Sequence, residues 1–244
     1  MRRGVRPKFT IFAAAALVLA ASGGAGAQGT GILGTKHNLS TSGTGAIHVT
    51  AGTAEVCVFC HTPHGSDTTV SAPLWNRAIN TTGYTMYTSD TFDATIDAQP
   101  SGSSQACLSC HDGTIAFDAL RNLPGPGGFS ATPTSAGWTF LGAAAGNKMP
   151  AGITNLTQDL TNDHPISMLY TSAKSPSSTS GTNDHATGFK SPDGSGQFTN
   201  GVRLYVGKVQ CTSCHDPHRS DTQTFLRVSN DGSALCLTCH RKDG

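Results

Sequence analysis

"CVFCHTPHG" occupies residues 57–65 and places two cysteines and two histidines within eight positions, Cys57 to His64. Its first five residues are a CxxCH unit, Cys57-Val58-Phe59-Cys60-His61. Three more units follow, Cys107-Leu108-Ser109-Cys110-His111, Cys211-Thr212-Ser213-Cys214-His215 and Cys236-Leu237-Thr238-Cys239-His240, and together they use all eight cysteines of the chain. CxxCH is the attachment signature of c-type haem. Its two thiols add to the haem vinyl groups, and the adjacent histidine is held beneath the iron as the proximal ligand. The pattern predicts four covalent haem c groups, on Cys57 and Cys60, Cys107 and Cys110, Cys211 and Cys214, and Cys236 and Cys239. The proximal ligands are His61, His111, His215 and His240.

Two other uses of paired cysteines compete. Four-cysteine zinc ribbons space their pairs by about 15 to 20 residues, whereas the starts at 57, 107, 211 and 236 are 50, 104 and 25 residues apart. An exported chain can also join its cysteines as disulfides. Neither use calls for a histidine after every second cysteine, in a chain with only 10 histidines.

Composition asks for a large apolar cofactor. Leu, Ile, Val and Phe make up 44 of 244 residues, about 18%, below what an ordinary core needs. The high net charge that usually accompanies disorder is missing. Four macrocycles would supply the apolar surface that the side chains lack, and the peptide without them is expected to be largely unfolded.

The N-terminus reads as a processing signal. Arg2, Arg3, Arg6 and Lys8 precede a largely apolar run from Phe9 to Ser22, and Ala25-Gly26-Ala27 fits a small-residue cleavage site. The expected boundaries are 1–27 for a secretory signal peptide and 28–244 for the mature chain. The apolar run is too short to span a bilayer, no comparable run follows, and no membrane span is expected. Removing four of the 16 basic residues leaves 12 against 15 acidic ones, a formal net charge of −3. Nothing in that balance suggests nucleic-acid binding.

His64 is the histidine that the motif does not need. His61 sits below its own iron, and a residue three positions later stays on the same side of the ring. His64 is therefore free to ligate a different iron. "CVFCHTPHGSD" at 57–67 aligns with "CTSCHDPHRSD" at 211–221 as CxxCHxPHxSD, which gives His218 the same standing. "ACLSCHDG" at 106–113 echoes "LCLTCHRKDG" at 235–244. The chain reads as two dihaem units, about 33–123 and 200–244, joined by a loop-rich segment and consistent with an internal duplication. The bland alternative makes Pro-His a surface turn after the motif, yet the repeat keeps the histidine while its neighbours change.

Six histidines are not proximal: His37, His48, His64, His164, His185 and His218. Four irons need at most four of them. His185 lies in a Ser/Thr/Gly-rich loop and reads as solvated, and His48 is ambiguous. Met149 and Met168 are available as axial ligands that would raise a potential, but neither is needed. Short helices are expected to carry each CxxCH. "PGPGG" at 124–128 is a turn-rich break, and segments 81–105 and 171–200 read as loops around the haems. Trp75 in "APLWNR" and Trp138 in "GWTFLG" are expected to pack on haem. The predicted fold is mostly coil with a few short α-helices, a multihaem cytochrome c wrapped around a chain of four haems.

The ordered set "KHNLS", "CVFCHTPH", "APLWNR", "CLSCHDGT", "DHPIS", "CTSCHDPH" and "CLTCH" resembles a family of exported bacterial tetrahaem cytochromes. That family includes the outer-membrane cytochrome E type, whose subunits polymerise into extracellular electron-conducting filaments. The resemblance covers most of 33–244. It implies bis-histidine haems in a chain that is mostly coil, and it marks His37, His64, His164 and His218 as the distal ligands. It leaves His48 and His185 unassigned. In related filaments the second histidine of the first haem motif ligates a haem of the adjacent subunit. On this chain that residue is His64, and the haem held by His215 in the neighbour is its expected target.

Three functions follow as expectations. The first is electron transfer as a subunit of an extracellular conductive filament, a homopolymer with His64 as the ligand in trans, passing electrons to redox partner proteins or extracellular acceptors. The second is a soluble periplasmic tetrahaem shuttle with the same haems. The third is a multihaem reductase, which needs an open iron position. Distal histidines suffice for every iron, so no enzyme is expected. The protein is placed outside the cytoplasm, in the periplasm or at the cell surface.

Overall fold

A computed structural model describes residues 31–92, 94–173 and 188–241. The proposed signal peptide, Asp93 and His185 lie outside the described residues. Most of the chain is coil, bends and turns, carrying short helices and three two-stranded ladders. The strands are β1 (His48–Ala51), β2 (Ala119–Leu123), β3 (Gly128–Ser135), β4 (Thr139–Leu141), β5 (Met168–Leu169) and β6 (Lys208–Val209). The helices are α1 (Ser104–His111), α2 (Tyr170–Ala173), α3 (Cys211–Cys214) and α4 (Cys236–Cys239). Among the described residues no helix is long and apolar enough to cross a membrane.

The CxxCH units do sit on short helical turns, as expected, although the first is a 3₁₀ turn over Cys57–Phe59. Only α1 is longer than one turn. It stops where Gly113 takes a left-handed φ of 71° and donates its N–H back to the Cys110 carbonyl at 3.2 Å, the usual role of glycine just past a helix. α3 is closed at its start by reciprocal capping between Gln210 and Ser213.

The ladders are a feature the sequence reading did not anticipate. β2 and β3 form an antiparallel hairpin with Leu123 opposite Gly128, turned by the "PGPGG" break. β1 pairs with β4, setting Val49 opposite Phe140, and β5 pairs with β6, setting Met168 opposite Val209. Apolar side chains gather in four small clusters of three to five buried residues each. No one of them is the size of an ordinary domain core, which agrees with the low aliphatic content.

Asn76 ties the first motif to β2. It is fully buried. Its Nδ2 donates to the Val58 carbonyl at 2.7 Å and the Asn122 carbonyl at 3.0 Å, and its Oδ1 accepts from Asn122 N at 2.8 Å. Asn76→Ala leaves these backbone groups without their partner, a loss of about 3 kcal/mol, or roughly 10 °C in Tm. Thermal unfolding of the holoprotein checks this, with an unchanged haem count by mass as the control.

Candidate functional site

No two of the eight cysteines are joined in a disulfide; Cys57 and Cys236 are exposed and the other six partly buried. Their electrostatic neighbours reveal the spatial order of the motifs. Burial, then the nearby Cys110 sulfur, pushes the Cys60 thiol up to about 12, with Arg77 opposing. The first motif is therefore beside the second. The Cys211 sulfur, then burial, raises the Cys107 thiol, while the same neighbour lowers Cys211. That brings the second motif to the third. Burial and then Cys214 push Cys239 up to about 11, with Tyr170 and Lys190 opposing, so the third motif is beside the fourth. Attachment points follow one another in space as they do in sequence.

The join between the second and third motifs is built by polar side chains. Ser104 Oγ donates to Gln210 Oε1 at 2.5 Å and accepts from Cys211 N at 3.0 Å, and Ser103 Oγ is hydrogen-bonded to Thr212 Oγ1. Ser103 and Ser104 begin α1, while Gln210 and Thr212 begin α3. Contacts thus cross freely between the two predicted dihaem units.

Three of the four CxxCH histidines share one arrangement. Nδ1 of His61 bonds the Pro73 carbonyl at 2.6 Å, Nδ1 of His111 that of Thr154 at 2.7 Å, and Nδ1 of His215 that of Thr224 at 2.8 Å. Each bond fixes the ring and its tautomer and leaves Nε2 for a metal, which is how ligating histidines are held. The His240 ring lies 4.8 Å from that of Phe189.

The histidines marked as distal fall into two groups. The His37 and His111 ring centres are 6.2 Å apart, and those of His61 and His218 are 6.1 Å apart. Two imidazoles on opposite sides of one metal, each bonded at about 2 Å, have ring centres ~6 Å apart. His37 is further fixed by the Pro217 carbonyl, 3.1 Å from its Nδ1, and by stacking on Phe225 at 4.4 Å. Its pKa is lowered to about 4 by burial, with the Pro217 bond opposing and His111, His218 and His215 lowering it further. Burial likewise lowers His111, against the Thr154 bond. Burial thus favours the neutral imidazole in both rings, the form that binds metal.

His64 and His164 have no ring partner among the described residues. His164 is exposed, and its Nδ1 lies 3.0 Å from the carbonyl of Pro165. Asp163, just before it, is close enough to Cys211 to raise that thiol electrostatically. His64 is exposed, and its ring makes no hydrogen bond, ion pair or ring contact among the described residues. Its backbone, by contrast, is braced: the carbonyl accepts from Thr62 Oγ1 at 3.0 Å and from the Asn122 amide. His48 bonds the Gly45 carbonyl through Nδ1 at 2.8 Å.

The methionines have other work. Met149 is buried, its sulfur accepts from Thr154 Oγ1 at 3.6 Å, and Thr154 is the residue that holds His111. Met168 is buried in the cluster of Tyr170, Phe198, Val202 and Val209. Trp75 packs edge-on to His61, with ring centres 6.2 Å apart, whereas Trp138 packs edge-on to Phe59 at 5.4 Å, inside a cluster of protein side chains. The buried Trp75 Nε1 has no hydrogen-bond partner among the described residues, and buried donors rarely go without one. A carboxylate-bearing group lodged against His61 would provide it.

Paired thiols, histidines offering Nε2, rings spaced as axial pairs and an orphaned donor beside His61 all fit haem c. Sequence reasoning missed the carbonyls that aim the proximal rings and the environment of Arg77. No local pattern points to the carbonyls, while Arg77 stood in plain view in "APLWNR".

Residues 205–244, which contain the third and fourth units, match the family described as a doubled CXXCH motif. No curated protein matches the chain. The doubled motif is that of covalently bound haem c, and the chemistry it supports is electron transfer.

Proposed function

We propose that this chain is a tetrahaem electron carrier and a subunit of an extracellular conductive cytochrome filament. Bound haem supplies one-electron exchange between ferric and ferrous iron. The chain's own residues attach, ligate and space the groups. Cys57, Cys60, Cys107, Cys110, Cys211, Cys214, Cys236 and Cys239 attach them. His61, His111, His215 and His240 are the proximal ligands, and His37, His64, His164 and His218 the distal ones.

The observation that carries the reading is the pair of histidine pairs, His61 with His218 and His37 with His111, at 6.1 and 6.2 Å. Rings on both axial positions leave an iron no place for substrate, so the protein is a carrier rather than an enzyme. The side-by-side order of the four attachment sites supports one continuous electron path. With His218 serving the iron of His61, His64 is left exposed and without a ring partner among the described residues. We assign it to a haem in a second copy of the chain. The signal sequence supports export to the periplasm or cell surface, where redox partner proteins or extracellular acceptors are the partners, with no part for nucleic acid.

The test is made on the purified holoprotein. Denaturing mass spectrometry is expected to give the mature peptide plus four haem masses, and electron paramagnetic resonance of the oxidised protein only low-spin signals. Three or fewer haems, or a high-spin signal in undamaged protein, overturns the reading.

A further inference from the structure

Arg77 is completely buried, and among the described residues no carboxylate lies within ion-pair distance of it. Its guanidinium donates only to neutral acceptors. Nε bonds Ser109 Oγ at 3.2 Å, Nη2 bonds the carbonyls of Ser109 at 3.1 Å and Ala116 at 2.9 Å, and Nη1 bonds the Phe117 carbonyl at 2.5 Å. Burying an ion costs several kcal/mol, and these dipoles satisfy the donors without cancelling the charge. Of the buried carboxylates on adjoining segments, Asp112 is engaged by its neighbours and Asp118 through one oxygen, its Oδ1 having no hydrogen-bond partner among the described residues. Asp112 takes Tyr84 Oη at 2.7 Å and Asn80 Nδ2 at 2.8 Å, and Asp118 takes Ser135 Oγ at 2.7 Å.

The position of this charge matters more than its cost. Ser109 lies inside the second CxxCH, immediately before Cys110. On the other side, Asn76, the residue directly before Arg77, donates its N–H to the Cys60 carbonyl of the first motif at 2.9 Å. A fixed cation therefore stands between the attachment points of two haems.

We propose that Arg77 sets the reduction potentials of the haems on Cys57–Cys60 and Cys107–Cys110, holding them above the values they would have without it. The proposal rests on the haem assignment above. Reduction of ferric to ferrous iron takes one electron, supplied by an adjacent haem or a redox partner, and removes one unit of positive charge from the iron. A nearby cation in a low-dielectric interior favours that change, and a buried charge is screened by salt far less than an exposed one.

Spectroelectrochemical titration of the holoprotein tests it. Arg77→Met is expected to lower at least one potential enough that the reduced-to-oxidised ratio at fixed applied potential falls tenfold, which is 59 mV for a one-electron couple. Arg77→Lys keeps the charge and is expected to keep most of the potential. A purely structural role predicts that both variants lose thermal stability while the potentials stay put, and that result overturns the proposal. Should Arg77→Met fail to mature, Ser109→Asp sets a counter-charge against the same guanidinium and should lower the same potentials. No shift there, or failure of every variant including Arg77→Lys to mature, overturns it too. Haem mass measured on each sample separates this outcome from a failure of the haem assignment, since a protein lacking those haems fails the earlier reading first.

Discussion

His64→Ala is expected to leave four haems attached and to abolish polymers. The loop that presents His64 is held by bonds the substitution does not touch. Thr62 and Asn122 donate to the residue 64 carbonyl, Arg121 Nε donates to the Gly65 carbonyl at 3.2 Å, and Arg121 pairs with Asp67 at 3.1 Å. Gly65 has a left-handed φ of 61°, and a Cβ there would meet the Phe129 ring at 2.7 Å. The loop therefore keeps its shape while losing one imidazole. On the filament reading that imidazole is the bond between subunits, and its loss leaves one five-coordinate iron per subunit. Negative-stain microscopy and the appearance of a high-spin ferric signal check the two halves of the prediction. Filaments of unchanged repeat in the variant would show that His64 does not ligate across subunits. A wild-type protein that is only ever monomeric would hand the function to a soluble periplasmic shuttle.

Replacing Cys107 and Cys110 together by alanine is expected to cut the yield of stable protein by roughly tenfold or more. The four apolar clusters are too small and too separate to hold the chain alone, and folding of this size normally rests on one continuous core. The second motif stands between the first, through Cys60, and the third, through Cys211, so a haem missing there removes the middle of the structure. His37 would lose its reason to sit against His111, and the segment around it would lose an anchor. The check is immunodetection of the exported double variant beside wild type. A folded trihaem form at normal yield contradicts the coupling of haem attachment to folding.

The sequence made some of this legible and hid the rest for physical reasons. Covalent chemistry demands a fixed local spacing, so every CxxCH unit was visible, as was the turn at "PGPGG". Low aliphatic content and long Ser, Thr and Gly stretches announced a coil-rich chain. The ladders were not readable, because strands of two to eight residues with no steady alternation carry too little pattern; β3 is mostly exposed along its length. Nor were the ring pairs. His37 and Pro217 are bonded across 180 positions, a contact that only the assembled fold creates. The resemblance placed His37 and His218 among the distal ligands, but not which proximal ring each one faces. Arg77 is not legible in "APLWNR", because one arginine in a sequence does not disclose that it is buried without a counter-ion.

The contact between Cys107 and Cys211 imposes an order on biogenesis. In a chain that folded before ligation, these two sulfurs would stand beside each other. In an oxidising compartment such neighbours close into a disulfide over seconds to hours. That single bond would disable two attachment sites at once, one on α1 and one on α3. On the proposed tetrahaem reading, ligation has to outrun collapse, and a chain so poor in aliphatic side chains is expected to collapse late. On that reading, weak folding on its own, which would be a defect in an ordinary domain, serves to keep the thiols apart until each has met its haem.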